Sequence, residues 1–249
     1  MKRISLIIIS LMLMASAGFA QTASEVVRQM EEKARGIKSL QAEMTMTIVR
    51  PKWTREISMK MWSKGQDYSM IYITGPQREK GTANLKRGKE VWTWIPRIEK
   101  TTKLPPSMMA QSWMGSDFTN DDLVREFSLS EDYTHAFIGD STIEDRLCWK
   151  IALAPKEDAA VVWGKVVLYV SQKDKLQLRA EYYGEDDYLI NVMKSSEIKN
   201  MGGRTLPTRM EMLPIEDPGN KTIMTYKSLV FDKPIDDSFF TLGNLKRVK

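Results

Sequence analysis

The sequence has few of the side chains that enzymes and disulfide-bonded domains depend on. Its 249 residues include one cysteine, Cys148, and one histidine, His135. A single thiol cannot form an internal disulfide, and a single histidine cannot supply a histidine pair to a metal ion. No Gly-x-Ser-x-Gly segment marks a serine nucleophile. Because Cys148 lies in an alternating apolar stretch typical of a strand, we expect it to be a small core residue.

Facing carboxylates are also scarce. Glycoside hydrolysis needs two of them, and Asp117, Asp121 and Asp122 form only a loose cluster. Acidic residues that favour a helix N-terminus explain this cluster more simply. The sequence therefore predicts a protein with no catalytic residues, no metal site and no cofactor.

Long apolar runs are confined to the N-terminus. Lys2 and Arg3 precede an apolar run over residues 4–14, and small residues follow up to Ala20. This order is typical of a secretory signal, and the run is shorter than the about 20 apolar residues that a membrane anchor needs. We predict a signal peptide over residues 1–20, cleaved before Gln21, and a mature protein in the periplasm.

Neither sign of charge dominates the remainder. Its 229 residues (249 less 20) carry 35 basic side chains (37 less Lys2 and Arg3) and 32 acidic ones. A balance this close to neutral argues against nucleic acid as a partner. The length suits a single all-β domain, which we expect to span residues 21–249.

One amphipathic helix precedes a long series of strands. Thr22 and Glu25 match a capping box, apolar residues follow at helical spacing, and Gly36 marks the end. From residue 44 the apolar period changes to two, with turn residues between the runs. Four alternating runs lie between residues 44 and 95. Seven further strands are predicted near 134–138, 145–153, 161–170, 176–183, 187–199, 204–213 and 221–231. Short strands joined by turns favour a sandwich or a barrel, and we predict one continuous antiparallel sheet from residues 40–103 and 130–232.

The segment between the two series is rich in large apolar side chains. A short helix is predicted to open at Pro106 and Ser107 and to end at Gly115, and a second helical turn to begin near Asn120. Two interpretations stay open: a hydrophobic lid over the mouth of a barrel, or a crossover loop with a small core of its own.

Three motifs in order resemble one known family. They are Arg78–Leu85 (REKGTANL), Trp92–Pro96 (WTWIP) and Met114–Leu123 (MGSDFTNDDL). The pattern continues to Tyr182-Tyr183 and to the ending Asp236–Phe240, so it covers nearly all of residues 21–249. In combination they are similar to the outer-membrane lipoprotein-sorting, or LolA-like, family.

The resemblance implies a mainly β fold: a LolA/LolB-like, half-open antiparallel barrel of about 11 strands, with helices covering the concave face. It implies a periplasmic chaperone or carrier that binds the acyl chains of lipoproteins or other lipids during transport toward the outer membrane. The sequence is longer than the best-studied lipoprotein chaperone of this group. Its tryptophan-rich and Gly-Ser-Asp-Phe elements mark a branch associated with exporters of lipid-like cargo, so an inner-membrane exporter and an outer-membrane acceptor are the implied partners.

The candidate binding residues are large apolar side chains of the strands and of the segment between them. We hypothesise that one pocket is formed by Trp62, Met70, Trp92, Trp94, Met108, Met109, Trp113, Met114 and Phe118. Methionine suits such a pocket because it is flexible and adapts to varied apolar partners. The Leu104–Phe118 segment is predicted to gate it. The family places a lid-holding arginine near Arg55, whose alternative interpretation is an ordinary surface arginine.

The alternative function is that of an envelope sensor or interaction module. Related barrels act as envelope sensors that bind lipid-modified proteins and regulate a partner. Such proteins usually carry a second domain, and this chain is short for two.

Overall fold

The computed structural model describes residues 21–35, 38–65, 67–125, 129–159 and 161–249. The predicted signal peptide and the predicted helix end at Gly36 lie outside these residues. Helix α1 spans Ala23–Arg35, α2 Asn120–Arg125, α3 Leu129–Asp132 and α4 Leu242–Leu245. The strands are β1 Ser39–Arg50, β2 Trp53–Lys64, β3 Tyr68–Gly75, β4 Ala83–Arg87, β5 Glu90–Ile95, β6 Lys100–Lys103, β7 Tyr133–Ile143, β8 Arg146–Pro155, β9 Lys165–Ser171, β10 Gln177–Tyr183, β11 Leu189–Met201, β12 Arg204–Pro214 and β13 Lys221–Phe231.

All 13 strands form one antiparallel sheet in the order β6-β5-β4-β3-β2-β1-β13-β12-β11-β10-β9-β8-β7. Each pair of hydrogen-bonded strands consists of neighbours in sequence, except that β1 also pairs with β13 and so joins the two series. Strands β6 and β7 form the two edges, and the sheet is not closed. The predicted continuous sheet is confirmed, with 13 strands in place of about 11.

The pairing register assigns the side chains to two faces. On the inner face, Met61 pairs with Ile71 and Met59 with Ile73, and these side chains belong to the main core. On the outer face, Trp62 pairs with Met70, and the same row continues through Leu85 to Trp92. Consecutive strand residues point to opposite faces, so the two rows cannot share a pocket.

Helix α1 packs on the inner face. Val26 and Val27 are fully buried in the main core, and the hydroxyl of Thr22 accepts from the backbone N–H of Glu25 at 3.2 Å, as the capping pattern predicts. At the other end, Arg204 of β12 donates to the carbonyl oxygen of Glu32 at 2.9 Å. The helix is therefore held against the second series of strands.

The outer face of the first series is covered by the C-terminal segment, residues 234–249. Phe240, Leu245 and Val248 pack there on the row that contains Met70 and Leu85, in a core separate from the main one. Trp62 contacts Phe239 with 5.3 Å between ring centroids. This separate core, with the tryptophans at its margin, is called the outer core below.

Candidate functional site

The main cavity lies on the inner face of the second series, beneath α1, α3 and the crossover from β6 to β7. Its volume is about 150 Å³. Five methionines line it: Met30, Met193, Met210, Met212 and Met224. Five aromatic side chains complete most of the wall: Phe118, Tyr133, Trp163, Tyr182 and Tyr226. Because methionine adapts its shape to its neighbours, this wall can repack around an apolar guest.

Among the described residues, four charged side chains line the cavity: Lys33, Asp121, Asp122 and Lys175. The carboxylate of Asp122 accepts from the Trp163 indole N–H at 2.9 Å and from the backbone N–H of Thr119 at 2.7 Å. Burial raises the pKa of Asp122, while these hydrogen bonds act in the opposite direction. The backbone N–H of Asp122 donates to the Thr119 hydroxyl at 3.0 Å. Asp122 therefore caps α2, as predicted for the acidic residues here, and also anchors Trp163.

The crossover from β6 to β7 forms a lid, defined here as residues 104–122. The predicted single helix is wrong: two short 3₁₀ turns, Pro106–Met108 and Trp113–Gly115, replace it. Met114 and Gly115 have φ of 51° and 76°, and left-handed backbone cannot continue a helix. Helix α2 does begin at Asn120 as expected. Because β6 and β7 are opposite edges of the sheet, this crossover has to pass from one series to the other.

An ion pair latches the lid to the sheet. The Arg50 guanidinium binds both carboxylate oxygens of Asp117, at 2.9 and 3.0 Å, and donates to the Gly115 carbonyl at 3.1 Å. The hydroxyl of Thr222 donates to Asp117 at 2.7 Å and accepts from its backbone N–H at 2.9 Å. Arg50 ends β1 and Thr222 lies in β13, so this Arg50–Asp117–Thr222 latch fixes the lid where the two strand series meet.

Arg55 makes a second attachment. Its guanidinium donates to the carbonyl oxygen of Met114 and lies 3.9 Å from the Glu79 carboxylate. Whether this contact holds the lid, as the resemblance implies for Arg55, stays a prediction. The positive φ of Gly115 favours glycine at that position.

The nine candidate binding residues do not come together. Trp113 and Phe118 are buried in the main core and Met114 packs against it, but only Phe118 lines the main cavity. Met108 and Met109 are half-buried in the lid. Trp62, Met70, Trp92 and Trp94 belong to the outer core, so the prediction of one shared pocket is corrected. Whether any of the nine contacts a ligand remains a prediction.

Most of the cavity and the whole of the latch were not predicted from the sequence. Met210, Met212 and Met224 share the inner face of adjacent strands, and their alternation was a usable signal. Asp117 was assigned to helix capping, whereas its carboxylate pairs with Arg50. No local pattern joins residues 67 positions apart, so this pair could not be found by spacing.

His135 supports the cavity wall from behind α3. Its Nε2 lies 2.9 Å from the carbonyl oxygen of Leu129, and the buried Glu31 carboxylate of α1 accepts from the backbone N–H of Leu129 at 2.7 Å. Burial lowers the pKa of His135 below its ordinary 6.5, and Lys156 contributes in the same direction. The pairing places Leu153 opposite His135 and Ser141 opposite the buried Cys148, so the two residues do not form a Cys-His site.

The depressed pKa of His135 predicts a pH effect on stability. Between the folded pKa and 6.5 the unfolded chain binds more protons, so this contribution is lost as the pH falls through that window. Because the ring is half-exposed, we expect a loss below about 1 kcal/mol. Urea unfolding of the wild type and His135→Gln at about pH 7.5 and pH 5 checks this. Equal pH dependence in both proteins would contradict it.

Two structural features are absent from the described part of the chain. No helix in it is long and apolar enough to span a membrane. Within the same residues, no three His, Cys, Asp or Glu side chains gather closely enough to hold a metal ion.

Comparisons with known proteins place this geometry in context. A family model described as "Uncharacterized protein" matches residues 65–247. No curated protein matches the chain. Three solved structures share the fold.

A DUF1329 family protein from Desulfovibrio piger ATCC 29098 has a TM-score of 0.82 and 22% identity, over 90% of this chain and 97% of that one. A putative outer membrane lipoprotein-sorting protein domain from Vibrio parahaemolyticus has a TM-score of 0.81 and 19% identity, over 90% and 98% of the two chains. A LolA superfamily protein from Nitrosomonas europaea has a TM-score of 0.79 and 23% identity, over 90% and 99%.

Proposed function

This chain belongs to the family whose model matches residues 65–247 and has the fold of LolA superfamily proteins, and from that premise we propose that it is a non-enzymatic lipid carrier. In this proposal it works in the periplasm and holds the acyl chains of a lipoprotein or another lipid in the main cavity. An inner-membrane exporter and an outer-membrane acceptor are its proposed partners. The observation that carries the proposal is the methionine- and aromatic-lined cavity beneath a latched lid.

The energetics of lipid transfer favour such a cavity. Each methylene exposed to water costs about 0.8 kcal/mol, so a carrier has to keep the chain covered. An apolar cavity of about 150 Å³ holds a guest the size of benzene. A longer acyl chain therefore needs the lid to move, and the buried side chains of Trp113 and Phe118 compete with it for the same apolar surface.

Filling the cavity should abolish binding. Ser195 lines the cavity and is 7% exposed, so Ser195→Phe places an aromatic ring in the space meant for the acyl chain. We expect affinity for a fluorescent fatty acid to fall at least about tenfold, because the ring removes the apolar surface that covers several methylenes. A fluorescence titration measures the change.

The neighbouring residue supplies a matched control. The side chain of Ser196 points to the outer face, so Ser196→Phe adds the same ring outside the cavity and should leave the affinity within about twofold of the wild type. Unchanged binding by Ser195→Phe, with a normal melting curve, would show that the cavity is not the acyl site.

A further inference from the structure

A second pocket lies on the inner face of the first strand series, on the other side of the lid from the main cavity. It is open, with a volume of about 700 Å³. Asn84 of β4 and Thr93 of β5 form its floor, the turn after β3 and the turn at Pro96 form its sides, and Trp113 and Met114 of the lid close one end. We call it the polar pocket.

Cations dominate the charged lining of the polar pocket. Arg78, Lys80 and Arg97 line it and are exposed. Across the part of the chain that the structure describes, no ion pair joins any of the three to a carboxylate. The acidic residue of the lining, Glu79, lies 3.9 Å from Arg55. The lining therefore carries a net positive charge that no described acid neutralises.

Buried polar atoms at this pocket also lack protein partners. The Asn84 side-chain oxygen accepts from the Thr93 hydroxyl at 2.9 Å, whereas its amide nitrogen is buried with no hydrogen-bond partner. One carboxylate oxygen of Glu79 is in the same condition. A buried polar group without a partner costs free energy, so such groups in a native site call for an explanation. Here one donor and one acceptor are buried beside the three exposed cations, and a ligand reaches them only if the pocket lining moves.

We propose that the polar pocket binds the phosphate-bearing headgroup of the lipid whose acyl chains occupy the main cavity. Arg78, Lys80 and Arg97 bind the phosphate, since charge-assisted bonds to phosphate are among the strong ones. A shift of the lining on binding would let the Asn84 amide donate to a headgroup oxygen and the Glu79 carboxylate accept from a headgroup hydroxyl or ammonium. This inference rests on the proposed function and narrows its cargo, because the acylated cysteine of a lipoprotein carries no phosphate.

The position of the lid gives the two sites a common boundary. Trp113 and Met114 line the polar pocket, and Phe118, Asp121 and Asp122 of the same lid line the main cavity. The backbone N–H of Trp113 donates to the Phe118 carbonyl at 2.8 Å, so the two linings belong to one folded piece of chain. A single lipid molecule can therefore occupy both sites only if it extends across the lid.

Binding measurements with paired lipids test the proposal. The probes are phosphatidylglycerol and diacylglycerol with identical acyl chains, and inorganic phosphate alone. We expect the wild type to bind phosphatidylglycerol about tenfold more tightly than diacylglycerol at low salt, and the preference to shrink at high salt. The double variant Arg78→Gln/Arg97→Gln should lose this preference and keep the diacylglycerol affinity. Both side chains are exposed, so the variant should fold normally.

A double variant at the turn between β4 and β5, the two strands that form the floor of the polar pocket, is the control. Arg87→Gln/Lys89→Gln removes two exposed positive charges that lie outside the polar pocket and should retain the preference. An unchanged preference in Arg78→Gln/Arg97→Gln, or an equal loss for both lipids, would overturn the headgroup site while leaving the carrier function standing. Binding of inorganic phosphate without any preference between the lipids would assign the pocket to free phosphate and also overturn it. Failure of the wild type to bind either lipid would overturn the carrier function together with the headgroup site.

Discussion

Replacing Phe240 with alanine should lower the free energy of unfolding by about 3–5 kcal/mol, because a fully buried phenyl ring is removed and a cavity remains. Phe240 is 0% exposed in the outer core, where its ring centroid lies 5.4 Å from that of Tyr68 and 5.2 Å from that of Phe239. The acyl affinity should not change, since the main cavity lies on the opposite face. Urea unfolding and fatty-acid titration of the same preparation measure the two effects.

Leu242 supplies the control for this prediction. It lies in the same C-terminal segment but is 41% exposed, so Leu242→Ala should change stability by no more than about 0.5 kcal/mol. If folded Phe240→Ala protein loses fatty-acid affinity as strongly as Ser195→Phe, then the outer core takes part in binding. That result would restore the sequence-based assignment of Trp92 and Trp94 to a ligand site.

Replacing Asp117 with alanine should have the second large effect. The free energy of unfolding should fall by about 3 kcal/mol, because the largely buried Arg50 guanidinium is left without its counter-charge. The side chains of Arg50 and Asp117 are 15% and 9% exposed. We expect the loss to fall first on the lid. Hydrogen exchange at the Trp113 and Asp117 amides should accelerate more than exchange in β10, and fatty-acid association should become faster.

A comparison with an exposed ion pair tests whether burial of the Arg50–Asp117 pair is the cause of this loss of stability. Lys103 and Glu90 are paired with side chains 56% and 51% exposed, so Glu90→Ala should cost below about 1 kcal/mol. The apolar double variant Arg50→Met/Asp117→Leu should recover part of the loss, since no unpaired buried charge remains. If Asp117→Ala is no more harmful than Glu90→Ala, the latch does not hold the lid.

The sheet could be predicted from the sequence because the alternation of apolar residues along a strand is a local pattern. Alternation identified most strands, and the pairing register confirms the antiparallel arrangement predicted for them. Strand β6 was missed since its residues, Lys-Thr-Thr-Lys, have no apolar alternation. The lid was predicted as a helix from its composition, but composition does not report the left-handed backbone at Met114.

The candidate site was harder to predict because it depends on contacts between distant segments. Alternation shows which side chains share a face, but not what covers that face. The outer tryptophans are covered by residues more than a hundred positions later in the chain, and Met30 meets Met193 and Met224 only after α1 docks. The contact of Arg55 with the Met114 carbonyl has no signal in the spacing either, and a lid-holding role for Arg55 is implied by the family resemblance alone.

From the pairing of β1 with β13 we also expect an order of folding events. Every other strand pair joins neighbours in sequence, so those hairpins close short loops quickly, whereas Met44 has to find Tyr226 across almost the whole domain. Closing so long a loop costs more chain entropy and slows folding. Arg50 and Thr222 stand on the two strands of this late pairing. The complete binding site for Asp117 therefore exists only once the two halves have joined, and the lid closes over a finished cavity.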